Sequence, residues 1–277
     1  MIIPSTYTYT DIDWALLRQN AMAQKGWKRK GPKEWDSKAK SFSGRTKNND
    51  YVDLFINELP LQTSYSVLDV GSGPGTLALP IAKCVQKVTA IDFSAGMLEI
   101  LDQHATSEKL DNISTIQCSW EDDWQKKGIL PHDIAIASRS VGVEELKPAL
   151  SKINDIAQKY VFISDRIGAT PFEEEAFHAI GRPFESGPDY IYTLNILYTM
   201  GIYPNVTILR PDPVSIYPSF ERAFESYRWM FQDLTQQEEV KLRHYIKQNI
   251  VKNNSKDSII VKRNSPVQWA LIWWQKQ

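Results

Sequence analysis

The chain has few of the features that would commit it to a disulfide scaffold, a membrane or a metal. Only two cysteines occur in 277 residues, Cys84 and Cys118. That is too few for a disulfide framework or a zinc-ligand set. Both fall inside predicted core elements, and the expected setting is a reducing cytoplasm. No apolar run approaches the ~18 residues of a membrane span, and the polar N-terminus does not read as a signal peptide. Neither charge sign is in excess: 32 Lys and Arg face 33 Asp and Glu, for a formal net charge of −1. No global field therefore favours nucleic acid or an anionic membrane. The acid run Glu173–Glu175 with His178 has no second histidine at helical spacing. It reads as a solvated first turn, and no metal is expected. Repeats and low-complexity segments are absent, and the length suits one α/β unit with a sizeable core.

What the chain does have is Ser66–Asp92, SVLDVGSGPGTLALPIAKCVQKVTAID. The apolar run Val67–Val70 is long enough for one buried strand. A turn with Gly71, Ser72, Gly73 and Gly75 follows, then an apolar helix pattern through Leu77, Leu79, Ile81 and Ala82, and a second strand, Lys87–Ile91, that ends at Asp92. This is one βαβ unit with an expected right-handed crossover. Small cofactors bind such units at the carboxyl ends of the strands. Charge decides which cofactor. A dinucleotide fingerprint, G-x-G-x-x-G, lays a pyrophosphate on the helix N-terminus. Here Thr76 takes the place of the third glycine, and Asp69 precedes the turn. A carboxylate there repels a pyrophosphate and suits a cationic ligand. Asp92 is placed to accept hydrogen bonds from both hydroxyls of a ribose. An adenosine carrying a cationic amino-acid tail, S-adenosylmethionine, satisfies both acids.

Four segments, VLDVGSGPG at 67–75, AIDFSAGML at 90–98, CSWEDDW at 118–124 and HDIAIASRS at 132–140, stand in the order and at the intervals of a known family. The sequence resembles the class I S-adenosylmethionine-dependent methyltransferases over roughly Trp35–Gly168. The resemblance implies a Rossmann-like, doubly wound α/β fold. Its seven-stranded, mainly parallel sheet begins 3-2-1-4-5, and an antiparallel last strand lies between the fifth and sixth. The implied cofactor contacts are Asp69, Gly71, Ser72, Gly73, Gly75, Asp92, Phe93, Met97, Ser119, Trp120, Glu121 and Ser138. The adenine-side loop departs from the usual Gly-Asp start, with Cys118-Ser119 in its place, and Trp120 either stacks on adenine or packs. Residues leaving the fourth and fifth strands face the transferable methyl, which makes Arg139, Ser140 and Asp165 the substrate-side candidates, with Arg166 beside them. Arg139 is either an anion reader or a structural arginine paired with an acid.

Along the rest of the chain, residues 1–49 form an expected helical cap. It contains a helix over Asp11–Ala23, a basic loop Lys25–Lys33 around Trp27, and a segment with Trp35, Ala39 and Phe42 on one helical face. Lys28, Arg29 and Lys30 in that loop suit either a solvated connector or an RNA contact. Residues 50–277 form the expected methyltransferase domain, with lid insertions near 170–200 and 217–262. Helices are predicted over Asp50–Glu58, after the Ser94 N-cap, and over Glu144–Gln158, Leu194–Met200, Tyr217–Asp233 and Gln236–Val251. Strands are predicted at Ile113–Cys118, Asp133–Ala137, Tyr160–Ser164, Val206–Arg210 and Val267–Trp274. The expected activity is methyl transfer to a small-molecule acceptor, with S-adenosylhomocysteine as product and no membrane partner. RNA or protein as acceptor, or cofactor binding without turnover, are the alternatives.

Overall fold

The computed structural model describes residues 8–25, 31–36, 50–251 and 258–276. Trp27, Lys28, Arg29 and Lys30 of the basic loop, and Ala39 and Phe42 of the aromatic segment, lie outside these residues.

A seven-stranded sheet organises the chain, with strands β1 (Ser66–Val70), β2 (Lys87–Asp92), β3 (Ile113–Gln117), β4 (His132–Ser138), β5 (Ala157–Arg166), β6 (Asn205–Leu209) and β10 (Trp269–Gln275). Their order is β3-β2-β1-β4-β5-β10-β6. The pairs from β3 to β5 are parallel, and β10 runs antiparallel to both β5 and β6. Strands β1, β4 and β10 are apolar almost throughout because helices cover both faces, while the edge strands β3 and β6 are more polar and less buried. Alternation sends Leu68, Val70, Ala135, Ala137, Ala270 and Ile272 to one core and Val67, Ile134, Ile136 and Leu271 to the other. The first core is closed by α5 (Leu146–Ile156), α7 (Tyr190–Thr199) and Trp14 of α1 (Trp14–Gln24). The second is closed by α2 (Tyr51–Ile56), α3 (Ala78–Ala82) and α4 (Ala95–Ser107).

A second sheet, order β7-β9-β8, is built from β7 (Val214–Tyr217), β8 (Ile250–Val251) and β9 (Ile259–Lys262). With α6 (Glu174–Ile180), α8 (Phe220–Arg228) and α9 (Gln236–Gln248) it encloses a third core around Phe172, Phe224, Tyr227, Leu242 and Ile246. At its base lies Glu173, 0% exposed. Its Oε1 accepts from the Tyr245 hydroxyl at 2.6 Å and the Asn264 amide at 3.0 Å, and Arg263 Nε lies 3.2 Å from Oε2. Arg263 also donates to the carbonyls of Pro171 (3.0 Å) and Phe172 (2.6 Å).

Several expectations are corrected. The helix expected from Tyr217 starts at Phe220, because Ser219 caps it by accepting from the Arg222 amide, and Tyr217 ends β7 instead. The helix expected from Leu194 starts at Tyr190, since the Asp189 carboxylate accepts from the Ile191 amide. It packs into the core of the large sheet, apart from the third core. Cys84 is exposed rather than buried, being on the turn after α3, and only Cys118 is in the core.

The two sheets are joined at one edge. The chain leaves the large sheet after Arg166 and after Leu209 and re-enters it at Asn205 and at Trp269, and Trp269 pairs with both Arg166 and Leu209. The junctions at Arg166, Leu209 and Trp269 therefore stand at the carboxyl edge of the parallel strands, the edge that carries the glycine turn, and the re-entry at Asn205, opposite Trp273, stands at the other.

Candidate functional site

The glycine turn is held by β2. The amides of Gly71 and Ser72 donate to the Ile91 carbonyl at 2.8 and 3.0 Å, and the Gly73 amide donates to Asp92 Oδ2 at 2.9 Å. Gly71, Gly73 and Gly75 have φ of 73°, 54° and 87°, a region that costs a side chain strain and glycine little. A Cβ on Gly71 would lie 2.4 Å from Ser140 Cβ, and one on Gly75 would lie 2.9 Å from the Leu101 side chain. At Gly73 it would meet nothing within 4 Å. Two of the glycines thus allow close packing, and Gly73 leaves open space above the turn. Ser72 Oγ beside it is buried and has no hydrogen-bond partner among the described residues.

Two acids lie under this space. Asp69 is 2% exposed. Burial pushes its pKa up to about 7, the Asp92 charge adds to the rise, and the Ala78 amide at the start of α3 and the more distant Arg139 oppose it. Asp92 is 6% exposed, and its Oδ1 accepts from the Ser94 amide at 2.8 Å. Burial raises its pKa too, against the hydrogen bonds from Ser94 and Gly73. Two buried carboxylates, both raised by burial and one raised further by the other, suit a cation. These acids, the open cradle at Gly73 and the orphaned Ser72 hydroxyl together fit S-adenosylmethionine.

The N-terminal segment reaches the same place. Asp36 Oδ1 accepts from Ser94 Oγ (2.6 Å) and from the Gly96 amide (3.0 Å), which holds the Asp36 pKa below the usual carboxylate range. Trp35 packs on Met97 and Ile100. Ser94 caps α4 through the Met97 amide at 3.2 Å, as its position in the sequence predicts. Phe93 is half-buried, and its carbonyl accepts from Gln117 Nε2 at 3.2 Å.

The loop after β3 is largely turned inward. Ser119 Oγ accepts from the amides of Glu121 and Asp122, both at 3.2 Å. Trp120 is 8% exposed, packs against Trp124 and donates from Nε1 to the Ser140 carbonyl at 3.0 Å. Its ring is occupied by protein. Glu121 is exposed.

The substrate-side candidates separate. Ser140 Oγ donates to the Val70 carbonyl at 2.6 Å and clamps the β4 exit to the glycine turn. Asp165 accepts from Thr193 Oγ1 (2.6 Å) and the Arg166 amide (2.8 Å), and burial raises its pKa. Arg166 is buried and donates from Nε to the Pro188 carbonyl at 2.7 Å. Arg139 has a φ of 57°, a conformation that costs a non-glycine residue roughly 1–3 kcal/mol. Its amide is pinned by the carbonyl (3.1 Å) and the hydroxyl (3.0 Å) of Ser164. Its guanidinium lies 4.5 Å from the Tyr51 ring centroid and 5.7 Å from that of Trp269. Tyr51 is fixed in turn by Ser138 Oγ at 2.7 Å and Ser164 Oγ at 2.6 Å. Sequence reasoning missed Tyr51, Ser164 and Trp269 here: each sits on a different element, and no local spacing links them.

Comparison with known proteins agrees with this geometry. The family described as "Methyltransferase domain" matches residues 67–159. Over 270 residues the chain is 32% identical to an uncharacterized protein of Haemophilus influenzae, covering 96% of this chain and 98% of that one. A stretch of 70 residues is 34% identical to a Methanosphaera stadtmanae protein assigned as ribosomal RNA small subunit methyltransferase A, covering 25% of this chain and 26% of that one. Among solved structures, a provisionally assigned methyltransferase of Bacillus halodurans shares the fold with a TM-score of 0.55 at 15% identity, over 82% of this chain and 98% of that one.

Proposed function

Since the chain belongs to the class I S-adenosylmethionine-dependent methyltransferases, we propose that it transfers a methyl group to a small-molecule acceptor bound over the carboxyl edge of β1, β4 and β5. One observation carries this reading: the chain leaves β5, passes from β6 toward the second sheet and returns into β10 at that same edge, as the pairing of Trp269 with Arg166 and Leu209 requires. An aromatic-rich unit tethered there on three sides is suited to enclosing a compact acceptor. The near-neutral charge of the chain gives no field for a polyanion.

When bound, S-adenosylmethionine supplies a methyl group already activated on a positive sulfur, so the protein's work is alignment and exclusion of water. Asp92 is the residue to accept from the ribose hydroxyls, since each of its oxygens has one backbone donor and room for another. The open face at Gly73 receives the amino-acid tail, and Asp69 contributes negative potential beneath it. Phe93 and Met97 line the adenosine side, with Ser119 and Glu121 at its rim. On the acceptor side stand Ser138, Arg139 and Asp165. The Asp165 carboxylate, raised in pKa by burial, is the group suited to take a proton from an acceptor that must lose one.

The test is incubation with methyl-labelled S-adenosylmethionine and a fractionated cell extract. Label in the low-molecular-weight fraction is expected. Label confined to RNA or protein would overturn the acceptor class and leave the family untouched.

A further inference from the structure

Arg139 is set up as an anion site before any ligand arrives. Its backbone is held in the left-handed region from both sides, by Ser164 on its own amide and by the Ser140 clamp on Val70. Its guanidinium rests on the faces of Tyr51 and Trp269. Tyr51 cannot swing away, because its hydroxyl is tied to Ser138 and Ser164. Among the described residues no carboxylate or carbonyl takes a hydrogen bond from the guanidinium, although other arginines have such partners: Arg18 on three carbonyls, Arg182 on Glu238, Arg243 on Glu221. Arg139 is also half-buried, so part of its hydration has been given up without replacement. A planar fork held on an aromatic shelf matches a carboxylate in bidentate geometry. Its place is one residue from the Gly71–Ser140 contact, at the end of the strand paired with Asp69 through Ile136.

We infer that the Arg139 guanidinium binds a carboxylate at the methyl-transfer edge. The inference rests on the cofactor placement given above. The carboxylate belongs either to the amino-acid tail of the cofactor or to the acceptor, and the chemistry at Arg139 is the same for both.

Calorimetry with two nucleosides separates the sources. S-adenosylhomocysteine carries the tail carboxylate, and 5′-methylthioadenosine lacks the tail. The proteins are the wild type, Arg139→Gln and Arg139→Lys, the last keeping the charge without the fork. Loss of tenfold or more in S-adenosylhomocysteine affinity in Arg139→Gln, with 5′-methylthioadenosine within twofold and Arg139→Lys intermediate, assigns the cofactor's carboxylate. If both affinities hold, the proteins saturated with S-adenosylhomocysteine are titrated with acetate, against acetamide and matched sodium chloride as controls. A rise in melting temperature specific to acetate and absent in Arg139→Gln assigns the acceptor's carboxylate. Unchanged affinities with no acetate effect overturn the inference, as does an equal loss for both nucleosides, which marks a supporting role in the fold. A wild type that binds neither nucleoside overturns the cofactor placement itself.

Discussion

The two sheets of this chain each bury acids, and they treat them in opposite ways. Under the glycine turn, burial raises the pKa of both Asp69 and Asp92, the Asp92 charge raises Asp69 further, and no cation of the described residues forms an ion pair with either. Beneath the three-stranded sheet, Glu173 has Arg263 beside it and donors from Tyr245 and Asn264. Burying a charge costs several kcal/mol unless partners replace the lost water. In the second sheet the partners belong to the protein, so Glu173 holds the unit together. In the first the missing partner has to come from outside, and a cationic cofactor fits that need.

The sharpest way to break the comparison is to remove each acid. Glu173→Ala leaves the half-buried Arg263 without its acid and the Tyr245 hydroxyl without its acceptor, and should cost about 3–5 kcal/mol in urea unfolding. The double variant Glu173→Leu with Arg263→Met should recover much of that loss. A Glu173→Ala protein as stable as the wild type would remove the distinction between the two regions.

On the other side, Asp92→Ala should leave the protein folded and weaken S-adenosylhomocysteine binding by roughly 1.5–3 kcal/mol, the scale of hydrogen bonds to a charged acceptor. Calorimetry on a variant with native circular dichroism reads this directly. An unchanged affinity would take Asp92 out of the site.

A further effect is a pH dependence. An unfolded Asp titrates near about 3.9, whereas folded Asp69 titrates at about 7 without ligand. The folded chain therefore binds this proton more tightly. The resulting stabilisation is complete below the unfolded pKa and is lost as pH rises through 7. Asp69→Asn should accordingly gain stability relative to the wild type as pH rises from about 4 to 7. A cationic ligand needs Asp69 ionised, so wild-type affinity for S-adenosylmethionine should fall below pH 7, by up to about tenfold per pH unit for one proton. The Asp69→Asn variant should show neither trend.

Much of the first region was legible in the sequence. Its central strands are buried on both faces and read as apolar runs, and the observed ends of all seven lie within three residues of those expected. Ser94 as a helix cap, and the strand order with its antiparallel last member, also follow from local signals and family resemblance. The second region was misread, because β7 to β9 have at most four residues each and two helices stand between β7 and the other two. Pairs such as Ser215 with Val261 bridge long intervals that carry no periodic trace.

The site divides the same way. Glycine spacing and two acids are local features, and they single out a cofactor because a turn needing positive φ and a carboxylate at a strand end each leave a mark on adjacent residues. Whether Trp120 stacks or packs and whether Arg139 reads an anion or pairs with an acid were open in the sequence, and Glu173, expected in a solvated first turn, is instead buried. Those outcomes depend on which distant groups share a low-dielectric space, and only the folded chain brings Tyr51 to Ser164, or Glu173 to Arg263. The amino-acid order alone determined the βαβ unit and the sign of charge it presents. The tertiary structure decided which charges find partners within the protein, because pairing is set by proximity across the fold rather than along the chain.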